Sequence, residues 1–380
     1  MQDRIRIIAD CNIPSLKGVL EPFADVEYLS PNEITKEKVA FADALLIRSR
    51  TVCDKNLLAG SAVKFIATAT IGFDHIDAHY CDSNNIKWIS APGCNSGSVQ
   101  QYIASVLVTL AIKKNFNLPE KTIGIVGVGN VGRKVERLAK VLGLKVLLND
   151  PPRERIEGSE NFVSLEKLVS ESDIITFHVP LNKNGVDKTF HLADEEFFEM
   201  FGGHKTLINS SRGEVVKNSA LKSAIRSGKV EMSALDVWES EPAIDFELMK
   251  MVDIATPHIA GYSADGKANG TAICVNGLAD FFTFDIVKNW YPSMIPEPDN
   301  SQLISLKTDD KDNSSIVADY ILSTYNVLED DKRLRNSGDT FEKQREEYPV
   351  RREFSYYNIE VSDANESFKE QLLQLGFNFK

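Results

Sequence analysis

The chain has 380 residues, 43% hydrophobic and 26% charged, enough apolar material for a packed core and unlike a disordered, collagen-like or coiled-coil protein. Its 43 Lys and Arg stand against 55 Asp and Glu, a formal charge of −12, which argues against bulk binding to nucleic acid or an anionic membrane. At roughly 150 residues per domain, the length points to two or three domains.

In chain order, short β-branched runs bounded by Gly, Pro, Asn or Ser predict strands at 5–10, 26–30, 44–50, 63–70 and 86–92. Helical spacing fills 32–42 and 74–83, and the alternation predicts a parallel sheet covered on both faces. A helix over 98–114 is apolar almost all round, which predicts burial between domains. A second series follows, with strands at 122–127, 145–150, 173–180, 206–211, 232–238 and 253–258. Helices fit between them at 130–143, 164–171, 193–201 and 217–228. Six strands with intervening helices match a doubly wound nucleotide-binding domain. A helix over 263–284 then returns, and an acid-rich, aromatic-rich stretch predicts a small α+β domain with elements at 304–307, 314–328 and 354–361.

The resulting fold class is α/β: two doubly wound, Rossmann-like parallel-sheet domains plus a small α+β C-terminal domain. The boundaries are 1–95, 96–258, a returning helix over 259–285, and 286–380. The largely apolar run 102–112 is too short to span a bilayer, and no signal-peptide core opens the chain, so no membrane is expected. Five widely spaced cysteines without a C-x-x-C favour neither a disulfide framework nor a zinc site and suggest the cytoplasm. No metal cluster is legible.

Chemistry is densest in the second series. Gly127-Val128-Gly129-Asn130-Val131-Gly132 follows a strand and opens a helix. The first glycine permits the tight turn, the second lets the backbone approach a pyrophosphate, and the third lets helix and strand pack closely. The helix N-terminus offers unpaired N–H groups to the anion. The next strand ends at Asp150, where a carboxylate accepts from both ribose hydroxyls and repels a 2′-phosphate, so NAD is expected over NADP. Pro151 and Pro152 supply no basic replacement.

Arg212, Glu241 and His258 stand at or just past the ends of successive strands, where ligands of open α/β sheets bind. That set suits oxidation of a 2-hydroxy acid. A histidine takes the hydroxyl proton, a carboxylate fixes its tautomer, and an arginine holds the substrate carboxylate.

On these motifs, residues 44–285 resemble the D-isomer-specific 2-hydroxyacid dehydrogenases, whose Arg/Glu/His triad maps onto Arg212, Glu241 and His258. The stretches 46–51, 67–70, 91–95, 150–152, 235–239 and 258–262, with Arg351-Arg352-Glu353-Phe354 and Leu375-Gly376-Phe377-Asn378, narrow the resemblance to one branch of that family. The resemblance implies a cytoplasmic homodimer, joined through its C-terminal domain, that acts on a phosphorylated 2-hydroxy acid. Ser49, Thr70 and Tyr262 would contact substrate. Asp150, Ser210, Ser211, Arg212, Asp236 and Gly261 would contact NAD, with Val179 offering backbone only. Gln101 stands where relatives often carry an acid.

The residues alone leave the phosphate site thinner. Arg48 or Arg50 is its candidate, with Ser49 expected on the opposite strand face. Thr68, Thr70 and Gly72 form a polar strand end whose backbone can approach a carboxylate. His75, His79, His191 and His204 are expected to be solvated, and His178 structural. Hinges near 91–95 and 261–263 would let a cleft close. Two alternatives stay open: another member of the family, such as a phosphoglycerate enzyme, or an NAD-sensing protein on the same scaffold.

Overall fold

A computed structural model describes residues 4–286, 289–306, 312–361 and 366–380. The chain divides into two compact units, Met1–Asn95 with Ser263–Pro296, and Ser96–Tyr262 with Glu297–Lys380.

The first unit carries β1 (Ile5–Asp10), β2 (Ala24–Leu29), β3 (Ala44–Ile47), β4 (Phe65–Thr68) and β5 (Lys87–Ile89) in the parallel order β2-β1-β3-β4-β5. Strand alternation sorts its side chains into two cores. Ile8, Leu45, Ile47 and Ile66 pack with Val39, Leu58 and Cys81. Ile7, Ala9, Leu46 and Ala67 pack with Cys274, Val275 and Leu278 of helix Ala264–Phe282. Both faces are therefore covered, which explains the near-continuous apolar strands. The helix expected over 32–42 is interrupted: Pro31–Glu33 forms a 3-10 turn, Thr35 is extended, and a single helical turn, Lys36–Val39, follows.

In the second unit β6 (Thr122–Val126), β7 (Lys145–Asn149), β8 (Ile174–Phe177), β9 (Lys205–Asn209), β10 (Val230–Leu235) and β11 (Ile254–Ala255) form a parallel sheet, ordered β11-β10-β9-β8-β6-β7. The chain reverses its direction of winding between β6 and β8, the place where an open α/β sheet forms a ligand crevice. Outside β7, Val163 adds one rung, its N–H donating to Leu148 O at 2.8 Å. The strand expected over 253–258 is reduced to β11. Pro257 has no N–H to donate, and His258 adopts a left-handed φ of 55°. Short helices Pro151–Glu157 and Phe246–Met251 begin on the caps Asp150 and Asp245 and have too few turns to show a period.

Residues 297–380 add β12 (Leu303–Ser305), β13 (Asn358–Glu360) and β14 (Asn378–Phe379), all parallel, in the order β12-β13-β14. Lys307, expected in the first of these, lies outside the described residues. The element expected over 314–328 is two helices, Asn313–Thr324 and Val327–Asn336, parted by the extended Tyr325. This segment does not close a core of its own. Ile316, Val317, Tyr320, Leu372 and Phe377 share one hydrophobic cluster with Val99, Ile103, Leu107, Val135 and Leu138. The long helix Ser96–Lys114, buried from Ser96 through Leu110, runs through that cluster. Among the described residues, no helix is long and apolar enough to cross a membrane.

Candidate active site

The glycine motif sits at the C-terminal end of β6. Gly127 takes φ 88° and donates to Asn149 O at 2.8 Å, while a Cβ there would lie 2.7 Å from Val179 Cγ1. A Cβ on Gly132 would lie 2.1 Å from Gly127 O, so only glycine lets helix Asn130–Val141 start against the loop. A Cβ on Gly129 would meet nothing within 4 Å. That is the open position where a pyrophosphate approaches backbone. Asn130 is exposed and Val131 half-buried at the helix start.

Asp150 Oδ2 accepts from Val128 N at 2.7 Å and Oδ1 from Arg153 N at 3.1 Å. Both oxygens keep lone pairs for ribose hydroxyls. Pro151 and Pro152 bring no base, but Arg153 after them stands beside Asp150. It donates to Val128 O at 2.7 Å, and is held fork-to-fork by Glu157 at 2.8 and 2.5 Å. That carboxylate occupies the arginine, so the local balance still disfavours a 2′-phosphate. Asp150→Ser keeps the helix cap and removes the charge. Its expected result is a KM for NAD raised about tenfold or more, the scale of a lost charge-assisted hydrogen bond, with discrimination against NADP reduced. Paired NAD and NADP kinetics check it.

The three residues expected as a triad all lie in the second unit, on the loops that follow β9, β10 and β11. After β9, Asn209 organises the turn: its Oδ1 accepts from Ser211 N at 3.1 Å and Ser211 Oγ at 2.8 Å, and its Nδ2 donates to Arg212 O at 2.8 Å. Arg212 Nη1 donates to Ser211 O at 2.8 Å. Ser210 Oγ is buried without a hydrogen-bond partner, a donor in want of an acceptor in the loop expected to touch cofactor. A Cβ on Gly213 would lie 2.0 Å from Trp238 C and O, so this glycine lets the Arg212 loop close onto the Glu241 loop.

His258 Nδ1 meets Glu241 Oε2 at 2.7 Å, and Glu241 Oε1 accepts from Trp238 N at 2.9 Å. Burial alone would push the Glu241 carboxyl up. The charge of His258, the hydrogen bonds from His258 and Trp238, and the charge of Arg345 outweigh it and hold the group below the usual carboxylate range. An ionised Glu241 fixes the imidazole with Nδ1 facing it and leaves Nε2 for a substrate hydroxyl.

Asp236 is 1% exposed. Its Oδ1 accepts from Thr256 Oγ1 at 2.7 Å and Ile259 N at 2.8 Å, and its Oδ2 from Ala260 N at 2.9 Å. Its carboxyl group is thus hydrogen-bonded to the turn after His258. Gly261 and Tyr262 are half-buried, and Tyr262 packs edge-on against Tyr348 at 5.8 Å with Arg345 5.7 Å from its ring centroid. Neither Arg153 nor Arg345 stands in a sequence pattern that points to the site. The motif at 351–354 was visible in the sequence, but without tertiary contacts it carried no role. Gln101, fully buried, donates to Thr324 Oγ1 at 3.2 Å and Arg352 O at 3.0 Å, tying the long helix to the C-terminal segment.

Ser49 and Thr70 belong to the first unit. Strand β3 ends at Ile47 and residues 48–51 turn, with Thr51 N donating to Arg48 O at 3.2 Å. Strand alternation therefore does not set Ser49 opposite the arginines. Ser49 is exposed, and Arg48 Nη1 donates to Asn12 O at 3.3 Å. Thr70 Oγ1 donates to Gly72 O at 2.9 Å and lies 2.7 Å from Thr68 Oγ1, which lies 3.0 Å from His75 Nε2. His75 is thus buried rather than solvated. His191 also departs from that expectation, pairing with Glu239 at 2.6 Å. His178 lies beneath the glycine loop, and desolvation lowers its pKa to about 3, so it stays neutral. Burial pushes the Cys53 and Cys81 thiols up to about 12 and about 11, leaving them inert.

Residues 108–260 match the D-isomer specific 2-hydroxyacid dehydrogenase, NAD binding domain, and residues 294–376 match a domain of unknown function, DUF3410. The chain is 49% identical over 356 residues to the erythronate-4-phosphate dehydrogenase of Bacteroides thetaiotaomicron, covering 93% of this chain and 99% of the relative. The chain belongs to the erythronate-4-phosphate dehydrogenases of the D-isomer-specific 2-hydroxyacid dehydrogenase family. The enzyme of that name from Porphyromonas gingivalis is 40% identical over 372 residues, 96% of this chain and 97% of the relative. In fold, the chain is similar to a D-lactate dehydrogenase from Aquifex aeolicus solved with NAD and lactic acid. The TM-score is 0.61 at 25% identity, over 74% of this chain and 96% of that one. This member of the family is an NAD-dependent oxidoreductase. NAD, when bound, supplies the hydride acceptor; the glycine loop, Asp150 and Ser210 are the groups whose geometry fits it.

Proposed function

We propose that this enzyme oxidises 4-phospho-D-erythronate to 3-hydroxy-2-oxo-4-phosphooxybutanoate with NAD, in the biosynthesis of pyridoxal 5′-phosphate (vitamin B6). C2 gives a hydride to NAD while the C2 hydroxyl proton passes to His258 Nε2. The observation that carries the chemistry is the 2.7 Å His258–Glu241 pair, assembled with the Arg212 turn at the ends of adjacent strands. Glu241 holds the tautomer and stabilises the imidazolium. Arg212 holds the substrate carboxylate and polarises the C2 oxygen as it becomes a carbonyl. The substrate itself is supported by the relatives' shared name over nearly their whole length.

Ser49, Thr70 and Tyr262 are the proposed substrate contacts. Val179, Ser210, Ser211, Arg212, Asp236 and Gly261 are those proposed for cofactor beside the glycine loop. For Asp236, whose carboxylate is already occupied, this contact would run through the turn it holds. Arg48 or Arg50 is proposed for the substrate phosphate. A cytoplasmic homodimer formed through residues 286–380 completes the proposal.

The test is NADH formation, free and protein-bound, with 4-phospho-D-erythronate beside D-3-phosphoglycerate, D-lactate and D-glycerate. Selective turnover of phosphoerythronate is expected. A better rate with another hydroxy acid would discard the substrate, and tight NAD binding with no turnover would favour a sensor. In the same assay Arg48→Ala with Arg50→Ala is expected to raise the KM for phosphoerythronate about tenfold or more, the loss of one charge-assisted contact. An unchanged KM would remove both arginines from the phosphate site.

A further inference from the structure

We propose that Arg351, in the C-terminal segment, is a positioning residue for catalysis: it clamps the turn that carries His258. The proposal rests on His258 being the acid/base. His258 has φ 55°, a left-handed conformation that crowds the Cβ of an L-residue. Such a residue holds its place only when its neighbours are fastened from outside.

The two residues downstream of it are fastened through both of their backbone polar groups. Their N–H groups, of Ile259 and Ala260, go to Asp236 at 2.8 and 2.9 Å. Their carbonyls go to Arg351, whose Nη2 donates to Ile259 O at 3.2 Å and Ala260 O at 2.6 Å. Ser98 Oγ, itself a partner of Arg351 Nη2, also donates to Ala260 O at 2.8 Å. A buried carboxyl group and a buried guanidinium thus hold opposite sides of one turn.

Arg351 is itself held. It is 5% exposed, and its guanidinium lies 4.3 Å from the Tyr325 ring centroid and 5.8 Å from that of Tyr348. The hydroxyls of both tyrosines donate to Asp330 Oδ2 at 2.7 Å. Yet Nε and Nη1 of Arg351 are buried without hydrogen-bond partners. An apolar side chain would avoid that cost, so stability alone is a poor reason for an arginine here. What an apolar residue cannot do is reach two carbonyls from one point. Residues 294–376, matched to a domain of unknown function, thereby gain a task inside the active site.

The experiment uses the full chain with Arg351→Lys, Arg351→Met, Ser98→Ala and the exposed control Arg226→Gln. Four readouts are taken: kcat and KM for NAD, NADH affinity by fluorescence, hydrogen exchange at the Ile259 and Ala260 amides, and the His258 imidazole carbon resonance. Arg351→Lys keeps the charge but not the reach of Nη2 or the flat group held against the Tyr325 ring. It is expected to lower kcat about 100-fold, the scale of an ångström of misplacement, with NADH affinity within about twofold. The His258 resonance should move and both amides exchange faster. Ser98→Ala is expected to shift the same signals the same way, with kcat lower by about fivefold, the size of one hydrogen bond. A folded Arg351→Lys with wild-type kcat, exchange and imidazole signal overturns the proposal. If neither Arg351 variant folds, a Ser98→Ala protein indistinguishable from wild type does the same. Should the wild type turn over none of the hydroxy acids, the proposed reaction fails, while the exchange and imidazole readouts still decide the clamp.

Discussion

His258→Ala is expected to lower kcat by about 100- to 10,000-fold, the range typical of a lost general acid–base group. The residual rate comes from groups the substitution leaves in place, Arg212 and the nucleotide site. NADH affinity should stay near that of the wild type, because Asp150 is held by Val128 N and Arg153 N and the imidazole by Glu241, on separate loops. Removing the ring also takes His258's lowering contributions from Glu241, leaving only the Trp238 N–H and the Arg345 charge to oppose burial. The carboxyl should rise from its depressed value. The sign for stability follows: a depressed folded pKa contributes stability above the unfolded value and loses it as pH falls through the folded one. That contribution should shrink in the variant, so its acid denaturation loses part of the dependence due to Glu241. Steady-state and single-turnover NADH formation, with fluorescence titration of NADH, check the first claim. A variant retaining more than a tenth of the wild-type rate would exclude His258 as the acid/base.

The second large effect is a contrast within the glycine motif. Gly132→Ala puts a methyl 2.1 Å from the Gly127 carbonyl oxygen, where the obstacle is backbone. Helix Asn130–Val141 must move off β6, which should cost about 1–3 kcal/mol of stability, the usual penalty for overpacking. NADH affinity should fall by about 100-fold as the cradle opens. Gly129→Ala meets nothing within 4 Å. It should leave the melting temperature unchanged and still weaken NADH by about tenfold or more, because its methyl stands where the pyrophosphate approaches. Thermal unfolding beside NADH titration separates the two. Equal melting temperatures would mean that the third glycine is not needed for packing.

Much of this was legible in the residues because its physics is local. A glycine at a fixed offset after a strand means a turn, a close approach and a helix start, whatever lies elsewhere. Alternation in Ile7, Ile8 and Ala9 gives the two faces of β1 without knowledge of its neighbours. Arg212, Glu241 and His258 could be singled out because parallel strands deliver their C-terminal ends to one edge of a sheet. Local rules failed where a short-range competitor intervened. Pro257 and the left-handed His258 cut the last strand to Ile254–Ala255. The extended Thr35 broke a helix whose spacing looked continuous. Arg48 to Thr51 turned where alternation had extended the strand.

The amino-acid order alone determined the dinucleotide loop, the acid at the end of the next strand, and the chemical kinds of the three groups proposed for catalysis. Only the folded chain decided which partners hold them. Arg351 and Ala260 are 91 residues apart, and Gln101 and Arg352 are 251 apart. No period or spacing encodes such pairs. They exist because residues 297–380 bury their apolar faces in the same core as the nucleotide-binding sheet. Hydrophobic burial is nondirectional, so it can bring an arginine to a catalytic turn while leaving little sequence mark of where it will land.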